Sequence, residues 1–211
     1  MKRVFFRDSR WLDAPLSGCG KALDIGSGGR RRAGNVVTLD VRPLPETDVV
    51  HDVDVQPWPL ADDTFDYVIL GNVLEHVDDL VAFMRELHRV SAPGAMIRGV
   101  SPHFSNPCTF ADPTHRHAFS VRMLEFFCDV RPMPAPCKWA ERVLGCDIKT
   151  GDECLARLFR ARRLSLYFRE LLWPTLLPVW GNVFPDFYEM YVSRLFPAWS
   201  IYFELEVLKE T

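Results

Sequence analysis

No Cys-x-x-Cys pair and no zinc-ligand spacing occurs among the six cysteines, at Cys19, Cys108, Cys128, Cys137, Cys146 and Cys154, which excludes the common structural zinc modules. No secretory apolar core follows Met1-Lys2-Arg3, so the thiols read as reduced and the chain as cytoplasmic. No uninterrupted apolar run approaches about eighteen residues, and no membrane span is expected. Basic excess is absent too. Lys and Arg number 25 against 28 Asp and Glu, a net charge of −3, which speaks against a general nucleic-acid binder. No internal repeat occurs. What remains is ordinary: 211 residues, 48% hydrophobic and 25% charged, suited to one soluble domain with a sizeable core.

The most informative stretch is Ala22-Leu23-Asp24-Ile25 followed by Gly26-Ser27-Gly28-Gly29. A short apolar run that ends in a glycine-rich turn reads as a buried parallel strand. Glycine lets the main chain turn at positive φ and lets a ligand approach without a Cβ in the way. Spacing adds to this. The runs Asn35–Asp40, Asp48–Val53 and Phe65–Leu70 are also β-rich, and each ends on or next to a polar group: Asp40, Asp52 or Asn72. Aligned in a parallel sheet, they would line one edge with acceptors. An acid after the second strand suits a pair of ribose hydroxyls, and one after the third suits an exocyclic amine. Together they describe a nucleoside pocket. A dinucleotide fingerprint would need Gly-x-Gly-x-x-Gly, and Gly26-Ser27-Gly28-Gly29-Arg30-Arg31 lacks the last glycine.

These motifs resemble the class I S-adenosylmethionine-dependent methyltransferases over roughly residues 20–104. Leu23-Asp24-Ile25-Gly26-Ser27-Gly28-Gly29 is similar to their first motif, with its third glycine displaced to Gly29. The resemblance implies S-adenosylmethionine as cofactor, held by Asp24, Gly26, Ser27, Gly28, Asp40, Val41, Asp52, Val53 and Asn72. The runs Trp58–Val68 and Asn72–Val77 match the family's entry into, and exit from, its fourth strand. A Pro-His-Phe-Ser element, then Asp112-Pro113-Thr114-His115, resembles a bacterial branch associated with polysaccharide or small-molecule tailoring.

Residues 1–20 read as a lead-in, with a short helix over Asp8–Leu12 packed on the sheet and covering the cofactor edge. About nine residues separate the first two strands, and Pro43 and Pro45 interrupt the next connection, so these crossovers are expected to be loops. Val77–Val90 carries a stripe of Leu80, Phe83, Met84, Leu87 and Val90 at helical spacing, with His88 beside it as a packing residue. The loop 101–120 follows the fifth strand. Its Asp112, His115 and His117 could bind a metal, supply a general base, or pin the loop through hydrogen bonds. His115 is the preferred base, His117 the next, with Asp112 orienting one of them; no metal ligand set is assigned.

Farther on, Val121–Val130 reads as a helix capped by Ser120, and a sixth strand is expected near 162–168. The segment 171–184 is apolar but broken by Pro174 and Pro178; it reads as core, as a lid, or as a surface for peripheral membrane contact with a lipid-linked acceptor. Asp186–Phe196 reads as a helix. Ser200–Leu208 alternates as a final strand, with Ile201, Phe203, Leu205 and Val207 inward. The arginines at 30–32 and at 157, 160, 162 and 163 read as solvated faces or as an anion site.

The expected fold is a Rossmann-like, doubly wound α/β sheet of seven strands. The last strand is antiparallel, and loops and helices are inserted before the last strands. One methyltransferase domain would span 1–211, with a cofactor half at 20–104 and acceptor-side elements at 105–200. The expected reaction is methyl transfer to an oxygen or nitrogen of a small-molecule or saccharide acceptor. The rivals are a degenerate methyltransferase fold used as a scaffold and a nucleotide-dependent oxidoreductase.

Overall fold

The computed structural model describes Leu12, residues 20–129, residues 158–169, Leu172 and residues 175–209. Seven strands form a single sheet in the order β3-β2-β1-β4-β5-β7-β6. They are β1 (Ala22–Ile25), β2 (Val36–Asp40), β3 (Val49–Val50), β4 (Phe65–Gly71), β5 (Ser91–Pro102), β6 (Phe159–Phe168) and β7 (Ala198–Val207). The first five run parallel, and β7 pairs antiparallel with both β5 and β6.

Period-2 alternation divides the core into two clusters. Leu23 and Ile25 of β1 and Val68 and Leu70 of β4 face the larger one, with the helix α1 (Leu80–Val90). Ala22, Val36, Tyr67 and Ile69 face the smaller one, which Leu12 closes. The Tyr67 hydroxyl donates to the Leu12 carbonyl at 3.0 Å, so Leu12 rests on the sheet. Residues 1–11 and 13–19 lie outside the described ones. Among the described residues no helix links β1 to β2 or β2 to β3, as the short connections require.

Several boundaries differ from the sequence reading. The third strand shrinks to Val49–Val50. Helix α1 begins at Leu80 rather than Val77, because Asp79 is extended at φ −114° and its carboxylate accepts the Ala82 N–H. The helix capped by Ser120, α2 (Val121–Glu125), stops well before Val130. The expected helix at 186–196 is instead a short α turn, Pro185–Phe187, running into a π turn, Tyr188–Val192.

β7 behaves as the alternation demands. Ile201, Phe203, Leu205 and Val207 are all buried. On its opposite face Glu204 pairs with Arg98 at 2.6 Å and Glu206 with Arg162 at 2.5 Å, so part of the late arginine cluster is charge-paired. Gly99 is required where β5 meets β7: a Cβ there would fall 2.0 Å from Cζ of Phe203. The segment 171–184 is not core throughout. Pro178 sits in the first turn of α3 (Leu177–Val183), where a proline is tolerated. Leu176 and Trp180 are 71% and 57% exposed. Among the described residues no helix is long and apolar enough to cross a membrane.

Candidate active site

A cavity of ≈ 350 Å³ opens at the carboxyl edge of β1, β2 and β4, with walls that include Gly26, Asp40, Val41, Asp52, Val53 and Asn72. The parallel register brings these groups together: Ile25 pairs with Leu39 and with Leu70, so all three strands end level. Gly26 has φ +66°, and a Cβ there would meet Val73 Cγ2 at 2.6 Å. Only glycine makes this turn and leaves the main chain bare to a ligand.

Asp40 is tied to the glycine turn. Its Oδ2 accepts the Gly28 N–H at 2.8 Å, and its Oδ1 accepts the Arg42 N–H at 3.0 Å. Burial would raise its pKa, but these donors and the Arg42 guanidinium prevail and hold it below the usual carboxylate range. A carboxylate offers about four lone-pair sites. The third contact, from Arg42 Nε, is 3.4 Å long on an exposed side chain and can yield to ribose hydroxyls. Asp52 and Val53 stand farther along the wall, with the Val53 carbonyl held by Trp58 Nε1 at 2.9 Å. An acid for the ribose, a second acid beside the base and apolar flanks from Leu39, Val53 and Val77 fit an adenosine.

Three expected cofactor residues are absent from the cavity wall. Asp24 is 2% exposed and accepts Arg32 Nε at 2.6 Å. Burial pushes its carboxyl up to about 7, opposed by Arg30; the contact with Arg32 ties it to the chain beyond the glycine turn, so Asp24 serves as an anchor for the turn. Gly28 acts through Asp40. Ser27 Oγ is buried without a hydrogen-bond partner.

The loop after β5 departs most from the sequence reading. His115 and His117 do not converge: they stand in different surroundings. His117 borders a second cavity of ≈ 640 Å³ beside Asp79, Leu80, Met123 and Phe126, where its Nε2 is buried without a partner. His115 stacks edge-on against His76, with ring centroids 4.8 Å apart. Asp112 does not orient either imidazole through a hydrogen bond: its carboxylate accepts the Thr114 hydroxyl and N–H, and His115 Nε2 lies 3.8 Å away.

Glu75 and His76 are the residues that sequence reasoning passed over. They follow Asn72 at the carboxyl end of β4, a position that could have flagged them. His76 lines the cofactor cavity, and Glu75 is 1% exposed with its carboxyl pushed up to about 7 by burial. The Glu75 carbonyl accepts the N–H groups of Arg116 and His117 at 2.7 and 3.3 Å, which seats the histidine loop over β4. His103 is structural: fully buried, it bridges Ser105 Oγ at 2.7 Å and Glu189 Oε1 at 3.2 Å. His88 holds the Leu208 carbonyl at 2.7 Å, a packing role as expected.

Residues 17–98 match the family described as Methyltransferase domain. That span covers the glycine turn and every wall of the cofactor cavity. Residues 17–98 are thus similar to a methyltransferase domain, and the sheet order is that of the Rossmann-like methyltransferase fold. Along its sequence this domain is 40% identical over 57 residues to a demethylmenaquinone methyltransferase of Lysinibacillus sphaericus, covering 27% of this chain and 24% of the relative. It is 33% identical over 105 residues to norajmaline N-methyltransferase of Rauvolfia serpentina, covering 47% and 35%. The matches thus span about a quarter to a third of these curated relatives' length. In fold it is similar to a SAM-dependent methyltransferase from Archaeoglobus fulgidus, with TM-score 0.56, 17% identity and coverage of 93% and 90%. S-Adenosylmethionine is the methyl donor of this domain class.

Proposed function

We propose that this domain transfers a methyl group from S-adenosylmethionine to an oxygen or nitrogen of a small-molecule or saccharide acceptor. The observation that carries the reading is the single cavity in which the Gly26 turn, Asp40 and Asp52 meet. The bound cofactor supplies an already activated methyl group. The protein's work is then to hold it and to orient the acceptor. Asp40 would take the ribose hydroxyls, Asp52 and Val53 the base, and Asn72 with the Gly26 turn the remainder. His76 and His115, at the mouth of this cavity, would assist loss of the acceptor's proton. His117 faces the second, mostly apolar cavity, a suitable seat for the acceptor's body.

Both curated relatives are named for small organic acceptors, which supports a small-molecule acceptor. Exposed Leu176, Val179 and Trp180 support peripheral membrane contact as a route to a lipid-linked one. The intact cavity speaks against a degenerate scaffold, and the missing third glycine against an oxidoreductase. Calorimetry and thermal melts with S-adenosylhomocysteine and NAD test the reading. S-Adenosylhomocysteine should release heat and raise the Tm, and NAD should do neither. Silence from S-adenosylhomocysteine at roughly millimolar ligand would overturn it.

A further inference from the structure

We infer that Glu75, His76 and His115 form a binding site for a divalent transition-metal ion of the zinc type at the mouth of the cofactor cavity. One carboxylate oxygen of Glu75 and one ring nitrogen from each histidine lie within 4.8 Å of one another. A tetrahedral ion with bonds of about 2.1 Å holds its ligands roughly 3.4 Å apart. Closing that gap is within reach of side-chain rotation, His76 being exposed.

The surroundings prepare these groups as ligands. The Thr109 carbonyl lies 2.8 Å from His115 Nδ1. A carbonyl only accepts, so in the neutral ring Nδ1 carries the hydrogen and Nε2 keeps its lone pair. His76 is set in the same way. The Thr114 hydroxyl is 2.7 Å from Asp112 Oδ1 and 3.0 Å from His76 Nδ1. Thr114 donates to the carboxylate, hence accepts from His76 Nδ1–H, which again leaves Nε2 free. Imidazoles that ligate metals are held by their second nitrogen in this manner.

Glu75 supplies an independent sign. Its Oε2 is buried without a well-formed hydrogen bond, the Ser101 hydroxyl being a poorly aligned neighbour. Leaving a buried carboxylate oxygen unpaired is costly, and a cation removes that cost. Two imidazoles and one carboxylate, with open positions, suit zinc and its first-row neighbours better than magnesium, which favours oxygen ligands. An ion here would polarise an oxygen acceptor. That consequence rests on the methyl-transfer reading; the ion site does not.

The full chain, stripped with EDTA, should be titrated with Zn²⁺ by calorimetry and with Co²⁺ by visible absorption. One ion per chain is expected, with Mg²⁺ failing to compete. His76→Ala and His115→Ala should each weaken Zn²⁺ binding at least tenfold, with circular dichroism unchanged. His76→Ala is the variant surest to fold, since His76 is exposed. No stoichiometric binding by the wild type would overturn the site. So would undiminished binding by both folded variants, which would place the ion on the cysteines instead. S-Adenosylhomocysteine titrated into the same stripped protein tests the cofactor cavity separately.

Discussion

The backbone N–H of Gly28 donates to Oδ2 of Asp40 at 2.8 Å, so the turn after β1 and the acid after β2 are one unit. The contact orients the carboxylate before any ligand arrives. It also means that Asp40, 6% exposed, does not face solvent freely.

Asp40→Ala should therefore act twice. Charged hydrogen bonds to ribose are worth about 1.5–3 kcal/mol each, so affinity for S-adenosylhomocysteine should fall at least roughly tenfold. The same change strips the Gly28 and Arg42 N–H groups of their acceptor and should lower stability by about 1–3 kcal/mol. A Kd equal to wild type in the folded variant would remove Asp40 from the site.

The pH dependence of cofactor binding follows from the same donors. Gly28 and Arg42 keep the Asp40 pKa below its usual value. What the carboxylate contributes is thus fully present above the ordinary carboxylate range and is lost only as pH falls through the lower, folded value. Calorimetric affinity for S-adenosylhomocysteine should be flat between about pH 8 and pH 5 as far as Asp40 is concerned. A weakening in that window that disappears in Asp40→Asn would contradict the assignment.

Asp24 predicts a stability effect rather than a contact with the ligand. Its partner Arg32 has a side chain only 7% exposed, so Asp24→Ala takes the carboxylate out of a buried ion pair. Breaking such a pair costs about 3–5 kcal/mol, roughly 6–20 °C in Tm for a domain of this size. Thermal melts check it. A Tm within a degree or two of wild type would show that the pair is not holding the turn.

How far the sequence reached depends on the range of each interaction. The glycine turn, the acid-terminated runs, the α1 stripe and the β7 alternation are local patterns, and local backbone geometry decides them. Ala22–Ile25 and Val36–Asp40 accordingly fall where the residues indicated, and the sheet carries Asp40, Asp52 and Asn72 to a common cavity. Which way each polar side chain points was decided only in three dimensions. Asp24 turned to Arg32, eight residues along the chain. His115 met His76, while His117 two positions on borders another cavity. Thr114 bridges Asp112 to His76 across a sequence separation of 38, a contact that no periodicity encodes. The sequence alone therefore determined the fold and the cofactor edge. Tertiary packing of the loop after β5 onto the end of β4 decided which histidines stand beside it, because that register depends on backbone bonds from Arg116 and His117 to the Glu75 carbonyl.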